Sequence, residues 1–249
     1  MTYTKIVIPV LVLILILVKI IKKTEGFNQN NIILITQFYK PKWDLRYQEI
    51  RECLMNNLNN IYISKIYLFC EEKFDFKEIF KNDNVDLSKI LQIPSKRLSY
   101  KQAFEFSNKY PNDIKILANS DIYFDDSLKK LHNLDFNKLF ISLTRFNIQD
   151  GKPVLQNSPS SSQDTWIWKD NLSIRRFKDY DKDGIKLGIW GCDNRINYIL
   201  KESGYNVKNY CKDIMTYHLH QEELHRNDVK KRKKYKKPYY LPQVEYIIK

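Results

Sequence analysis

The stretch that decides the fold is Ile114–Leu128, which reads Ile-Lys-Ile-Leu-Ala-Asn-Ser-Asp-Ile-Tyr-Phe-Asp-Asp-Ser-Leu. Its first residues form a short, mostly apolar run with the length of a buried β-strand. The run ends at the polar triplet Asn119-Ser120-Asp121, and Asp125-Asp126-Ser127 then stand where a helix N-cap is expected, ahead of Leu128. The stretch therefore predicts a strand that delivers the Asp121 carboxylate to its carboxyl end, where open α/β sheets bind ligands. Two interpretations of Asp121 stay open, a functional carboxylate or a residue that caps a turn.

The same alternation of strand-like and helix-like segments runs through most of the chain. Further strands are predicted at Ile32–Tyr39, Ile61–Phe69, Lys89–Ile93, Leu139–Leu143, Asn206–Tyr210 and Ile214–His220. Helices are predicted after Asp44, over Ser99–Tyr110 and after the turn Gly188–Asp193. The pattern predicts an α/β fold with a mostly parallel sheet flanked by helices. Gly151–Gln163, where Pro and Ser accumulate, is predicted to be a mobile loop over the site.

Composition excludes several classes of protein. The 249 residues are 43% hydrophobic and 14% aromatic, which supplies a sizeable core and argues against wholesale disorder. Only 6 glycines are present, and the chain contains none of the glycine-rich signatures of dinucleotide-binding sites, P-loops or α/β-hydrolase nucleophile elbows. The four cysteines, Cys53, Cys70, Cys192 and Cys211, form no C-x-x-C pair, so a structural zinc site is not expected. Free thiols and disulfides both remain open.

The formal net charge of +13 is concentrated near the carboxyl end. The segment 226–237 holds eight Lys and Arg against the single acid Asp228, a local excess of 8 − 1 = +7. Such a run either binds a polyanion or is a solvated charged segment. Because the charge is local, we expect no specific nucleic-acid partner.

The amino-terminal residues predict a membrane segment. Ile6–Val18 is continuously apolar, and with Tyr3 and a snorkelling Lys19 the run Tyr3–Ile21 reaches the lower limit for a transmembrane helix. A cleaved signal peptide is the alternative. The chain is thus divided into an anchor or signal segment at 1–24, a short stem at 25–30 and a single catalytic domain at 31–249. The lysines that follow the run favour a cytoplasmic body by the positive-inside rule, and a lumenal domain would contradict that rule only mildly, so the side of the membrane stays open.

Three groups of side chains are candidates for chemistry. Asp121 with Asp125 and Asp126 offers carboxylates to a hard divalent cation. Asp193 stands at a helix start, as a functional acid or as a structural cap. His218 and His220, two apart on a strand, would share one face and are spaced to bind a metal.

The order of these motifs resembles small nucleotide-sugar glycosyltransferases of the GT-A superfamily. The segments that carry the resemblance are Asn119–Leu128, Leu143-Thr144-Arg145, Ser162–Trp166, Gly191–Arg195 and Tyr217–His220. The resemblance spans residues 31–220 and implies a Rossmann-like sheet that binds the nucleotide at its first half. It also implies a divalent metal, Mn²⁺ or Mg²⁺, held on the donor diphosphate by an Asp-x-Asp motif.

The resemblance assigns roles residue by residue. Asp121 takes the first Asp-x-Asp position and Tyr123 the second, so Asp125 or Asp126 would have to substitute there. The predicted metal ligands are Asp121, His218 and His220. The predicted general base is Asp193, with Asp164 second. Predicted donor contacts are Asp121, Arg97, Tyr100 and Arg145, and the predicted acceptor contacts are Trp166 and Trp168.

Three functions follow as hypotheses. The first is a membrane-anchored glycosyltransferase that moves a sugar from a nucleotide-sugar donor to a hydroxyl of a glycan, lipid or protein acceptor, assisted by a metal. The second is a metal-dependent phosphoesterase or nuclease that uses Asp121, Asp193 and the histidines. The third is a non-catalytic binding module, in which Tyr123 has abolished metal binding.

Overall fold

The computed structural model describes residues 31–172, 174, 184–219 and 235–247. Its central sheet consists of β1 (Ile32–Phe38), β2 (Ile63–Cys70), β3 (Ile90–Pro94), β4 (Ile114–Ala118), β6 (Leu139–Leu143), β9 (Thr165–Trp168) and β10 (Asn206–Lys208). The strand order is β10-β6-β9-β4-β1-β2-β3. Among these strands β9 alone is antiparallel to its neighbours, β4 and β6, so the prediction of a mostly parallel sheet is confirmed.

Helices cover both faces of this sheet. They are α1 (Asp44–Asn59), α2 (Phe76–Ile79), α3 (Tyr100–Ser107) and α4 (Cys192–Glu202). Because successive side chains of a strand point to opposite faces, β1 divides its apolar residues between two cores. Ile32 and Leu34 pack in the cluster that contains the apolar face of α1, whereas Ile33 and Ile35 pack in the cluster that contains those of α3 and α4.

A second, four-stranded sheet lies beside the carboxyl end of β4. It comprises β5 (Ile122–Phe124), β7 (Phe146–Gln149), β8 (Lys152–Leu155) and β11 (Thr216–His218), in the order β5-β11-β7-β8. Here the prediction of a loop over Gly151–Gln163 is wrong in part, because β8 and a 3-10 turn at Pro159–Ser161 lie within it. Asp150 and Gly151 both have positive φ and form the tight turn of the β7–β8 hairpin, and Asp-Gly is a strong hairpin signal.

Ser99 and Asp125 cap helices where the sequence predicts a start, whereas Asp44, after which a helix is predicted, is itself the first residue of α1 and not its cap. Ser99 caps α3 through a capping box with Gln102. Asp125 accepts a hydrogen bond from Ser127 N, but the helix that it caps, Asp126–Asn133, is a 3-10 helix.

Several predictions fall outside the described residues. They are the membrane segment within 1–24, the stem, His220 and the basic residues up to 234. Within the described ranges no helix is long and apolar enough to cross a membrane. The four cysteines are buried and free, which resolves the choice between thiols and disulfides.

Candidate active site

Asp121 lies at the centre of a buried charged cluster. It lies three residues beyond the end of β4, as predicted, and directly before β5, a strand that the sequence does not predict. Only 7% of its surface is exposed. Its Oδ2 lies 2.5 Å from Nη2 of Arg46 and 2.9 Å from Nε2 of His218. Its Oδ1 has no hydrogen-bond partner among the described residues.

The partners of Asp121 arrive from elements distant in sequence. Arg46 stands in the first turn of α1, and its Nη1 bonds Glu49 Oε2 at 2.8 Å. His218 reaches the site because β11 pairs antiparallel with β5, which places His218 opposite Ile122. On its other side, the His218 Nδ1 lies 3.0 Å from Asn147 Oδ1. Because that oxygen accepts hydrogen bonds, Nδ1 carries a proton and Nε2 is turned toward Asp121.

These contacts determine the ionisation of Asp121. Burial by itself would raise the pKa of the carboxyl group. The charges of His218 and Arg46 and their hydrogen bonds outweigh burial and hold that pKa well below its usual range. Asp121 is therefore an anion throughout the physiological pH range.

The cluster opens into a pocket of about 350 Å³. The polar residues that line it are Gln37, Tyr39, Arg46, Glu71, Arg97, Asn119, Ser120 and Asp121. Gly188 completes the wall with a positive φ, and a Cβ there would come within 2.9 Å of the Arg97 guanidinium. Arg97 is further held by a hydrogen bond from its Nε to Leu187 O. We call this the Asp121 pocket; the predicted donor residues Asp121 and Arg97 both line it.

A second pocket, of about 510 Å³, shares Asn119 and Gly188 with the first. It contains the predicted bases Asp193 and Asp164 together with Arg145. Trp190, Tyr239 and Leu241 line it as well, and Trp190 is 45% exposed and Leu241 41% exposed. We call this the Asp193 pocket.

Asp193 lies in the first turn of α4, where Gly191 begins the helix with a left-handed backbone. Its Oδ2 accepts a hydrogen bond from Gln163 N at 3.1 Å. Burial raises its pKa to about 6, and the backbone N–H groups of Gln163 and Asn194 only partly offset that effect. Asp193 thus combines access to a pocket with a pKa near the working range of a general base.

Asp164 has a different environment, because both of its oxygens are engaged. Oδ2 forms an ion pair with Arg145, and Oδ1 accepts a hydrogen bond from Asn119 Nδ2 at 2.7 Å. Arg145 also donates from Nε to Asn147 Oδ1 at 3.1 Å. Since Asn147 contacts His218, a continuous polar network joins Asp164 to Asp121. Asp164 and Arg145 hold this network in place, and Asp193 is the better placed base.

Neither Tyr123, at the second position of the Asp-x-Asp motif, nor Asp125 or Asp126, its predicted substitutes, lines the Asp121 pocket. Tyr123 belongs to β5 and stacks on Tyr217, its register partner, with ring centroids 5.1 Å apart. Asp125 does not substitute, because it caps the 3-10 helix and accepts a hydrogen bond from the Tyr217 hydroxyl. Asp126 lies beside Asp125 and Tyr123 on another surface. The residue that shares the Asp121 pocket is Asn119, two positions before Asp121 rather than two after it.

Three predicted aromatic contacts are also corrected. Trp166 and Trp168 are completely buried in β9, where they pack against Tyr100 and Phe104. Tyr100 is itself completely buried, and its hydroxyl faces Cys192 Sγ at 3.6 Å. All three are core residues, because β9 is covered by helices and lies in the middle of the sheet. Trp190, which the sequence analysis did not single out, is the exposed tryptophan of the Asp193 pocket.

Two of the three predicted metal ligands lie together in the structure. Asp121 and His218 are in contact, His220 is not described, and no group of three or more His, Cys, Asp or Glu among the described residues is arranged around a common point. Asp121 Oδ1, which has no partner among the described residues, and His218 Nε2, which contacts Asp121 Oδ2, fit a divalent cation that takes its other ligands from a bound diphosphate. Metal-binding histidines usually hydrogen-bond through the ring nitrogen that does not hold the metal. The contact of His218 Nδ1 with Asn147 Oδ1 is a bond of this kind.

The phosphoesterase hypothesis placed Asp121 and Asp193 at one metal centre. In the structure these carboxylates line different pockets. The arrangement instead places Asp121, Arg46 and Arg97 on one pocket and Asp193 on the other.

Comparison with known proteins identifies the fold. The sequence matches no protein-family model and no curated protein. The structure is similar to GalNAc-T7, solved with UDP, GalNAc and Mn²⁺, with a TM-score of 0.52 and 13% identity, over 79% of this chain and 45% of that chain. This likeness confirms the predicted GT-A-like fold.

Two further solved structures are similar at lower scores. The mannosyltransferase PcManGT from Pyrobaculum calidifontis, in complex with GDP-Man and Mn²⁺, has a TM-score of 0.44 and 12% identity, over 72% of this chain and 54% of that chain. TarS 1-349 from S. aureus, in complex with UDP-GlcNAc, has a TM-score of 0.43 and 12% identity, over 77% of this chain and 59% of that chain. This chain spans about half the length of the three structures.

Proposed function

We propose that this protein is a glycosyltransferase that moves a sugar from a nucleotide-sugar donor to an acceptor hydroxyl. The observation that carries the proposal is the pair of adjoining pockets, one built around Asp121 and the other containing Asp193 with its pKa raised to about 6. The GT-A-like fold supports it, since the three similar structures are glycosyltransferases solved with UDP, GDP-Man or UDP-GlcNAc.

In this proposal the Asp121 pocket holds the diphosphate of the donor. Arg46 and Arg97 supply positive charge along its wall. Asp121 and His218 would hold a divalent cation, with the diphosphate supplying its remaining ligands. When bound, such an ion stabilises the negative charge that grows on the leaving diphosphate.

The Asp193 pocket holds the acceptor. The acceptor oxygen forms a bond to the anomeric carbon as the bond from that carbon to the diphosphate breaks. The acceptor proton passes to Asp193, and the electron pair of the broken bond leaves with the nucleoside diphosphate. Asp164 is a positioning residue, because its ion pair with Arg145 joins the base side of the site to the Asp121 cluster.

The membrane anchor at residues 3–21 remains part of the proposal, and it fits a glycan, lipid or protein acceptor at a membrane surface. The side of the membrane is left open.

The proposal is tested by release of UDP or GDP from a panel of UDP- and GDP-sugars, in Mn²⁺ or in EDTA. We expect release that Mn²⁺ stimulates and that Asp121→Asn abolishes. Asp126→Asn, which changes a carboxylate outside both pockets, is the matched control and should retain the parent rate. No release and no nucleotide binding across the panel would overturn the proposal.

A further inference from the structure

Arg46 occupies the carboxylate that the proposed cation needs. Its Nη2 lies 2.5 Å from Asp121 Oδ2, the same oxygen that His218 approaches at 2.9 Å. Oδ1, although buried, has no partner among the described residues. One oxygen of Asp121 therefore has two partners, Arg46 and His218, while the other has none among the described residues.

The arginine is held but not enclosed. Glu49, one turn further along α1, fixes Nη1 at 2.8 Å, and 25% of the Arg46 side chain is exposed on the wall of the Asp121 pocket. A guanidinium has five N–H donors, and the bonds of Arg46 to Glu49 and Asp121 use two of them, so further donors can serve a ligand in the pocket. Rotation about the side chain would exchange a carboxylate oxygen for a phosphate oxygen without moving the helix.

Charge gives a reason for such an exchange. The charged side chains that line the Asp121 pocket are two arginines, Arg46 and Arg97, and two carboxylates, Asp121 and Glu71, so their formal charges cancel. A diphosphate brings at least two negative charges into this neutral pocket. Its binding is favoured if a cation enters with it and if an arginine turns from its carboxylate to the phosphate oxygens.

We propose that Arg46 and a divalent cation compete for Asp121, and that the displaced Arg46 turns to the donor diphosphate. The inference rests on the proposed function only where it names the diphosphate as the second partner. It makes the cation and the nucleotide help each other bind, because each favours the arrangement in which Arg46 has left Asp121. Arg46 thereby becomes a binding residue of the donor site.

The test is Mn²⁺ binding to the 249-residue chain without nucleotide, measured by electron paramagnetic resonance of free Mn²⁺. Arg46→Gln removes the competitor, and we expect Mn²⁺ to bind on the order of tenfold more tightly, within the usual range of coupling between two ligands. Arg97→Gln is the matched control for the loss of one positive charge, since it removes the arginine of the pocket that does not contact Asp121, and it should tighten Mn²⁺ binding much less than Arg46→Gln does. Arg46→Lys, which keeps the charge, should fall between the parent and Arg46→Gln, and it preserves the test if Arg46→Gln does not fold.

A second arm adds UDP or GDP. In the parent the nucleotide should tighten Mn²⁺ binding, and in Arg46→Gln this tightening should be reduced severalfold. Mn²⁺ affinity in Arg46→Gln that equals or falls below that of the parent would overturn the inference. Failure of both nucleotides to bind would count against the proposed function alone, because the first arm contains no nucleotide.

Discussion

The Asp193 carboxylate is held in surroundings that favour its neutral form. Its pKa is raised to about 6 by burial, against 3.8 for an ordinary aspartate. Between these values the folded chain binds more protons than the unfolded chain, so this group makes stability fall as pH rises from about 4 to about 6. Asp193 is thus a residue whose ionised form costs the fold stability, as expected of a group retained for chemistry.

Asp193→Asn tests both consequences. The amide that Asp193→Asn introduces does not ionise, so the variant should lack the destabilisation that ionised Asp193 causes. We expect a gain of up to about 2 kcal/mol in the free energy of unfolding at pH 7, and little gain at pH 4. Urea unfolding at the two pH values measures this difference. A gain of equal size at both would show that ionisation of Asp193 is not its cause.

The same substitution should remove the base. Loss of a general base typically lowers the rate 10²–10⁴-fold, and we expect a loss of about that size in sugar transfer. In the parent the rate should fall as pH drops through about 6, because protonated Asp193 cannot accept the acceptor proton. A parent rate with no acid limb near this pH would assign the base elsewhere.

At the scale of elements, Asn57 fixes helix α1 to the strand that follows Asp121. Its Nδ2 donates to Ile122 O at 2.9 Å, and its Oδ1 accepts from Phe124 N at 3.2 Å. The side chain is 2% exposed, so Asn57→Ala would leave two backbone groups of β5 buried without partners. We expect a loss of about 2–6 kcal/mol in the free energy of unfolding, at roughly 1–3 kcal/mol for each of the two unsatisfied groups.

Asn59→Ala provides the control on the same helix, because Asn59 is exposed. It should change stability by less than about 0.5 kcal/mol. Thermal or urea unfolding of Asn57→Ala and Asn59→Ala measures the two losses of stability. Similar losses in both would mean that helix propensity, and not the bond to β5, causes the effect.

The elements themselves were largely predictable from local signals. Leu139–Leu143 has the predicted bounds, and β4 ends where the polar triplet begins. Apolar periodicity is a local property, so it identified these strands and the helix after Asp193 without knowledge of their neighbours. The β7–β8 hairpin was missed although its Asp150-Gly151 turn is a local signal too, because the nearby Pro and Ser residues favoured a loop.

The site was predictable only where it belongs to one segment. Asp121 and Asp193 follow from strand ends and helix starts, whereas Arg46 is 75 residues from Asp121 and carries no motif. Trp166 and Trp168 were assigned to an acceptor because the sequence does not reveal that β9 lies inside the sheet. Exposure depends on which elements pack together, and that is set by topology.

At the scale of the whole molecule, the last described segment closes the Asp193 pocket. Residues 235–247 are tied to the body by Tyr240 N to Asn194 O and by the ion pair of Glu245 with Lys208. Tyr239 packs against Gly191, where a Cβ would meet its hydroxyl at 2.7 Å. This segment therefore supplies a wall of the pocket from the far end of the sequence.

Tyr239→Ala should accordingly weaken binding of the acceptor and leave binding of the donor unchanged. We expect KM for the acceptor to rise severalfold while nucleotide affinity stays at the parent value. Tyr246→Ala removes a tyrosine of the same segment that is 63% exposed, and it should change neither quantity. Equal effects of the two substitutions on KM would show that the segment acts by docking alone.

The central claim is that the Asp121 pocket binds the donor nucleotide and that the Asp193 pocket binds the acceptor and supplies the base. Nucleotide binding tests this claim most directly. Calorimetric titration with UDP and with GDP, in the presence of Mn²⁺, would compare the parent chain with Asp121→Asn and Asp193→Asn. We predict that Asp121→Asn loses at least tenfold in affinity for the nucleotide that the parent binds, and that Asp193→Asn retains the parent affinity. Equal losses in both variants, or full affinity in Asp121→Asn, would contradict the account.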